Sequence, residues 1–170
     1  MKAQLDTAFV VDLKKRTISI DRIFAAPRPL VWKAWTDPAL LDQWWGPAPC
    51  RVETRSMEFR VGGRWLYAMI LPDQSKHWCK ADYQAIEPES RFLARDGFCD
   101  EQGVRNHTLP ENSWETLFHD QGEQTQVQVH LVFDTEEDLK TIVNMGFKEG
   151  FHTGLNQLSQ LLESLKKQSS

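Results

Sequence analysis

The residues of this chain that are able to do acid–base, nucleophilic or metal chemistry are few and scattered. Five histidines, His77, His107, His119, His130 and His152, fall in separate segments, and the three cysteines, Cys50, Cys79 and Cys99, are far apart. Only His77-Trp78-Cys79 brings two metal ligands within reach, because residues two apart on a strand share a face. Two ligands without a third at recognisable spacing make a poor zinc signal, and no CxxC occurs. Asp82 and Asp96 are expected to face solvent or to be paired, and His152, one residue after Phe151, to sit at a rim or surface. A cyclase- or hydrolase-like chemistry would need His77, Tyr83, Asp96 or His152 to point inward with a shifted pKa. Gly62-Gly63 and Gly97 sit at turns or on a strand and not before a helix, so nothing resembles a phosphate loop, and no nucleophile elbow is present. No catalytic residue, metal or cofactor is therefore expected.

Binding chemistry has more to work with. The chain holds seven Trp, nine Phe and two Tyr, with Trp32, Trp35, Trp44 and Trp45 crowded into one stretch. Adjacent indoles at a helix end cannot both enter one core, so of Trp44 and Trp45 one packs inside while the other either covers it or lines a pocket mouth. Trp65, Tyr67 and Met69 share one strand face, which is either plain core or the wall of a cavity. Gly150 and Gly154 lie inside a predicted helix, where each glycine costs roughly 0.5–1 kcal/mol relative to Ala. Close helix–sheet contact is one reason for that expense and room for a ligand is the other. The candidate cavity wall is then Trp45, Trp65, Tyr67 and Met69, with Tyr83, Phe98 and Trp114 from later strands. Phe147, Gly150, Phe151 and Gly154 would close it from the helix.

The elements that must position these residues can be read from periodicity. Residues 16–25 (RTISIDRIFA) alternate as a strand, with Asp21 and Arg22 on the polar side and an irregularity near the end. The run 8–13 is a candidate extra edge strand. Pro27 and Pro29 suit the first turn of a helix, and Asp37-Pro38 caps and starts a second short one that runs to about Trp45. From Cys50 to Phe133 strand-like runs are punctuated by turn signals, which predicts an antiparallel meander. The strand Trp65–Ile70 is apolar on both faces, so its second face is expected to meet another element or an interface; a homodimer is one outcome. Residues 99–110 (CDEQGVRNHTLP) lack periodicity and read as a long loop, either a lid or a mobile connector. Asp134 or Thr135 caps a short helix, Gly146 either marks a junction or belongs to the next helix, and a stripe from Phe147 to Leu165 makes that next helix long and amphipathic. The tail 166–170 (KKQSS) is expected to fray.

These elements make an α+β domain, a curved antiparallel sheet wrapped around a long C-terminal helix with two short helices after the first strand. The 170 residues are expected to form one domain, with a core over about 16–166. With 20 Lys+Arg against 24 Asp+Glu and no long basic run, nucleic acid is not an expected partner. No apolar run approaches the roughly 18–20 residues of a membrane span, and residues 1–15 lack the signature of a secretory leader. Three cysteines leave one unpaired under any intramolecular pairing, so reduced thiols and a cytoplasmic location are expected.

The run 26–38 (APRPLVWKAWTDP), followed by Leu41-Asp42-Gln43-Trp44-Trp45-Gly46-Pro47, resembles the opening signature of a known family. That family is named for activators of the ninety-kilodalton heat-shock chaperone's ATPase, and it lies within the START-like (SRPBCC) helix-grip superfamily. Phe59-Arg60-Val61-Gly62-Gly63-Arg64-Trp65, Ile86-Glu87-Pro88 and 145–151 (MGFKEGF) resemble its glycine turn, strand end and final helix. The match runs in order from about Thr17 to Leu165. The resemblance implies a helix-grip fold with a hydrophobic cavity; together with the aromatic strand face opposed to a glycine-bearing helix, it makes a small apolar or aromatic ligand the expected partner. It also raises a stress-response role as chaperone activator, but eukaryotic co-chaperones of the family carry a further N-terminal domain. Nothing before the first strands here corresponds to it, so chaperone contact is not expected.

Overall fold

A computed structural model describes residues 7–168. Of the tail expected to fray, residues 166–168 are helical and Ser169-Ser170 lie outside the described residues, as does the first part of the N-terminal segment, residues 1–6.

Strands β1 (Ala8–Asp12) and β2 (Thr17–Phe24) form a hairpin, and helices α1 (Arg28–Thr36) and α2 (Pro38–Trp44) follow. Strands β3 (Arg51–Met57), β4 (Arg64–Ile70), β5 (Lys76–Glu87), β6 (Arg91–Phe98), β7 (Glu111–Gln121) and β8 (Gln124–Phe133) then run as a meander. The chain finishes with α3 (Glu136–Asn144) and α4 (Phe147–Gln168). All strands join one antiparallel sheet in the order β1-β2-β8-β7-β6-β5-β4-β3. Because β2 pairs with β8, the chain must pass from β2 to the far edge at β3, and α1 and α2 make that crossing. The sheet curves around α4, which is the helix-grip arrangement.

Local chemistry sets the joints. Pro27 precedes α1 and Pro29 sits in its first turn, where a missing N–H costs nothing. Asp37 ends α1 and caps α2, its Oδ1 accepting the Ala39 N–H at 2.9 Å. Thr135 does the same for α3, accepting from the Asp138 N–H at 3.0 Å. Gly146 has φ +89°, a left-handed conformation open to glycine, and it separates α3 from α4.

Two expectations are corrected here. The alternation of β2 is unbroken, and Arg22 belongs to its buried face while Ile23 turns outward. Arg22 is 5% exposed because its guanidinium clips the sheet to α4, donating to Asn156 Oδ1 at 2.7 Å and Ser159 Oγ at 2.9 Å. The second face of β4 needs no further element. Leu66, Ala68 and Ile70 are buried beneath side chains of the neighbouring strands: Lys80, Trp78 and Lys76 stand opposite them on β5. Trp78 is in turn overlaid by Arg55 and Lys76, so aliphatic stems and one indole cover this face.

Helix α4 buries Phe151, Leu155, Leu158 and Leu162 against the inner sheet face, where they meet Ile18, Ile20, Val129 and Leu131. This end of the grip is solid. The other end is not.

Candidate functional site

Between α4, the α3–α4 junction and the inner faces of β4 to β7 lies a cavity of about 390 Å³. An enclosed empty void of 390 Å³ would cost about 9 kcal/mol at ~24 cal/mol per Å³, comparable to the whole stability of a domain. The cavity instead opens to solvent past the exposed residues His77 and Met145.

From the sheet, the expected residues Tyr67, Met69, Phe98 and Trp114 line it, with Trp45 from the end of α2. Phe147, Gly150 and Phe151 line it from α4. The rings brace one another: Trp114 lies 5.5 Å from both Trp45 and Phe151, and Phe147 stacks on Phe151 at 5.3 Å. The two adjacent indoles diverge. Trp44 is wholly buried and its Nε1–H donates to Ala34 O at 2.9 Å. Trp45 turns to the cavity, and its Nε1–H donates to the Tyr67 hydroxyl at 3.2 Å.

Three of the named residues lie outside the cavity. Trp65 stacks on Tyr67 at 4.0 Å, and with Tyr83 it borders only a gap of about 20 Å³, room for a single water at most. Gly154 serves close packing, since a Cβ there would stand 3.3 Å from Trp44 O where α4 crosses α2. One turn earlier the helix has moved away, and a Cβ on Gly150 would meet only Pro47 Cγ, at 3.5 Å.

The expectation for Asp96 is overturned. It faces inward on β6 and lines the cavity, and among the described residues no hydrogen bond or ion pair reaches its carboxyl. Burial pushes its pKa up to about 7, against the pull of the Arg105 and Arg95 guanidinium groups. Those two arginines lie on the other side of the sheet. Arg105 donates to Asp82 Oδ2 at 2.6 Å and to Arg95 O at 2.7 Å, and Arg95 pairs with Glu111 and Asp134. Asp82 is thus paired on the outer face, as expected. Opposite Asp96 in the register stands Asn112 on β7, 4% exposed, with an Oδ1 that has no hydrogen-bond partner among the described residues. Strand alternation could have found both: Asp96 is two residues before Phe98, and Asn112 two before Trp114.

Burial raises the pKa of the Tyr67 and Tyr83 hydroxyls and of the Cys79 thiol, with the Asp96 charge adding to each, so all three stay neutral near pH 7. His77 and Cys79 both line the cavity, as their shared strand face implied, but no group of three or more His, Cys, Asp and Glu gathers for a metal among the described residues. His152 packs edge-on against Phe9 at 6.5 Å, away from the cavity. The segment 99–110 is tied down by its own turns, with Asp100 Oδ1 accepting from the Gln102 and Val104 N–H groups and Arg105 reaching under it to the sheet; Pro110 at its end lines the cavity.

Residues 25–163 match the model of the activator of Hsp90 ATPase homolog 1-like protein family. A crystal structure of a Mycobacterium smegmatis protein is 30% identical with TM-score 0.84, covering 91% of this chain and 95% of that one. A solution structure of an Arthrobacter aurescens protein is 28% identical with TM-score 0.87, covering 92% and 91%. The crystal structure of the AHSA1 protein of Silicibacter pomeroyi, 18% identical with TM-score 0.68 over 86% and 97%, shares the fold. No curated protein matches the chain. No helix among the described residues is long and apolar enough to cross a membrane.

Proposed function

Because the chain belongs to the activator of Hsp90 ATPase homolog 1-like family, with the helix-grip fold, we propose that it binds a small apolar or aromatic molecule between sheet and C-terminal helix. The observation that carries this reading is the aromatic-walled cavity of about 390 Å³, within the ~300–1,000 Å³ typical of small-molecule sites. Edge-on and stacked rings hold its wall rigid, so a ligand need not order the site on entry, which lowers the cost of binding. A thermal-shift screen of aromatic and aliphatic compounds, backed by native mass spectrometry, tests it. A ligand at 100 times its Kd stabilises by about 2.7 kcal/mol, an easily read rise in Tm. Gly150→Trp, which puts an indole into the cavity, should abolish that rise while leaving the fold intact. Failure of every compound to shift the wild type would overturn the reading.

The inward Asp96 favours a second reading, in which the cavity performs acid–base chemistry on what it binds. A carboxyl with a pKa of about 7 can give or take a proton at neutral pH. This reading expects Asp96→Asn to abolish turnover of a bound compound without abolishing its binding. Turnover that survives the substitution would end it.

A further inference from the structure

The cavity is rich in acceptors and poor in cations. Asp96 and Asn112 stand opposite each other on adjacent strands, and the buried Asn112 Oδ1 has no hydrogen-bond partner among the described residues. The rings of Trp45, Tyr67, Trp114 and Phe151 line the same space. Among the described lining residues there is no Lys or Arg, and the single imidazole, His77, is exposed at the mouth. Arg95 and Arg105 are held on the far side of the sheet by Glu111, Asp134 and Asp82, so neither can turn to meet a ligand.

This lining discriminates by charge. A carboxylate or phosphate headgroup would be buried without a counter-ion and beside Asp96, the costliest way to place an anion in an apolar site. A neutral apolar molecule would leave Asn112 Oδ1 and the carboxyl unsatisfied. An ammonium has three donors to divide between them, and aromatic faces attract it further.

We infer that the cavity selects an amine with an aromatic or apolar body, the nitrogen donating to Asp96 and Asn112 and the body lying against Trp114 and Phe151. The inference rests on the reading of the cavity as a ligand site and names the class of ligand. Other groups around Asp96 do not change this choice. Tyr67 on β4 and Cys79 and Tyr83 on β5 are kept neutral by burial, Arg105 is paired with Asp82 and Arg95 with Glu111 and Asp134 on the outer face, and α4 presents Phe147, Gly150 and Phe151, none of which ionises.

The test is isothermal titration of the full-length protein with three probes of one shape: naphthylmethylamine, naphthylmethanol and naphthoate. At pH 8 the amine should bind at least about tenfold more tightly than naphthoate, with the alcohol between them. If the carboxylate form of Asp96 is the one that binds amine, only about 3% of it remains at pH 5.5, and the apparent affinity for the amine falls about 30-fold while that for the alcohol does not move. Asp96→Asn should erase both the amine preference and its pH dependence, and His152→Gln, outside the cavity, should leave both intact. The wild-type pH series stands by itself if the Asp96 variant fails to fold. Naphthoate binding as tightly as the amine, or an amine preference that survives Asp96→Asn, overturns the inference. Equal binding of all three probes removes the amine class and leaves the cavity as a ligand site; binding of none removes both.

Discussion

Asp96 makes folding stability depend on pH in a direction opposite to that of an ordinary paired carboxylate. Its folded pKa of about 7 lies above the unfolded value near 3.8, so the folded state holds the proton longer. Below pH 3.8 both states are protonated and there is no penalty. As pH rises toward 7 the unfolded chain ionises while the folded one does not, and stability is lost steadily; above 7 the loss is complete. Three pH units at ~1.36 kcal/mol each give about 4 kcal/mol as an upper limit. The carboxyl faces a cavity open to water, which hydrates the ion in part, so about 2 kcal/mol is the effect to look for. Asp96→Asn keeps the shape and removes the charge. Urea unfolding of both proteins from pH 4 to pH 8.5 isolates the term, because every other titrating group cancels in the difference. The variant should gain on the wild type as pH rises to about 7 and then run parallel with it. A difference that stays flat within about 0.5 kcal/mol across the series would refute the placement of an uncompensated carboxyl in the cavity.

The two glycines of α4 should part company on substitution. Gly150→Ala makes only an ordinary contact with Pro47 Cγ at 3.5 Å and should stabilise by about 0.5–1 kcal/mol through helix propensity, whereas Gly154→Ala presses on the Trp44 carbonyl at 3.3 Å and should forfeit that gain, as denaturant midpoints will show. Arg22→Leu strands Asn156 and Ser159 without their charged donor and should cost about 3 kcal/mol in the same assay. Trp44→Phe, at a site with no exposure, should cost about 1–3 kcal/mol, while Trp45→Phe should cost less and instead reduce the fluorescence change on ligand addition. A larger stability loss from Trp45 than from Trp44 would reverse the assignment of the two indoles.

The fold was legible because local and global signals agree along most of the chain. Proline and aspartate at 27, 29, 37 and 38 start helices where backbone donors would otherwise be orphaned, and strict alternation in β8 and most of β7 assigns faces without ambiguity. The misreadings occur where a long polar side chain does an apolar residue's work. Arg22 looks like a surface residue until Asn156 and Ser159, 134 and 137 positions away in sequence, come into hydrogen-bonding reach. The outer face of β4 looks unpartnered because a Lys or Arg stem laid over it still counts as charged in the sequence.

The site was legible in its apolar part and not in its polar part, for a related reason. Aromatic residues on one strand face name a dry surface but not whether it is filled, and Trp65 and Tyr67, two residues apart, end on either side of that question. The boundary is drawn by α4. At Gly154 the helix touches the backbone of α2, and at Gly150 it has diverged enough to leave only Pro47 within contact distance. Beyond that point Phe147 still reaches Trp114 edge-on, but the cavity separates the helix from the rest of the sheet face. There an aspartate and an asparagine stand opposite each other among the rings, and among the described residues no hydrogen bond reaches the Asp96 carboxyl or Asn112 Oδ1. A solid core would exclude such a pair, because each unmet polar group costs about 1–3 kcal/mol. The same pair facing an open cavity costs less, and a ligand carrying donors can recover what remains. The hollow and the polar pair therefore explain each other: the space makes the pair tolerable, and the pair decides what the space can hold.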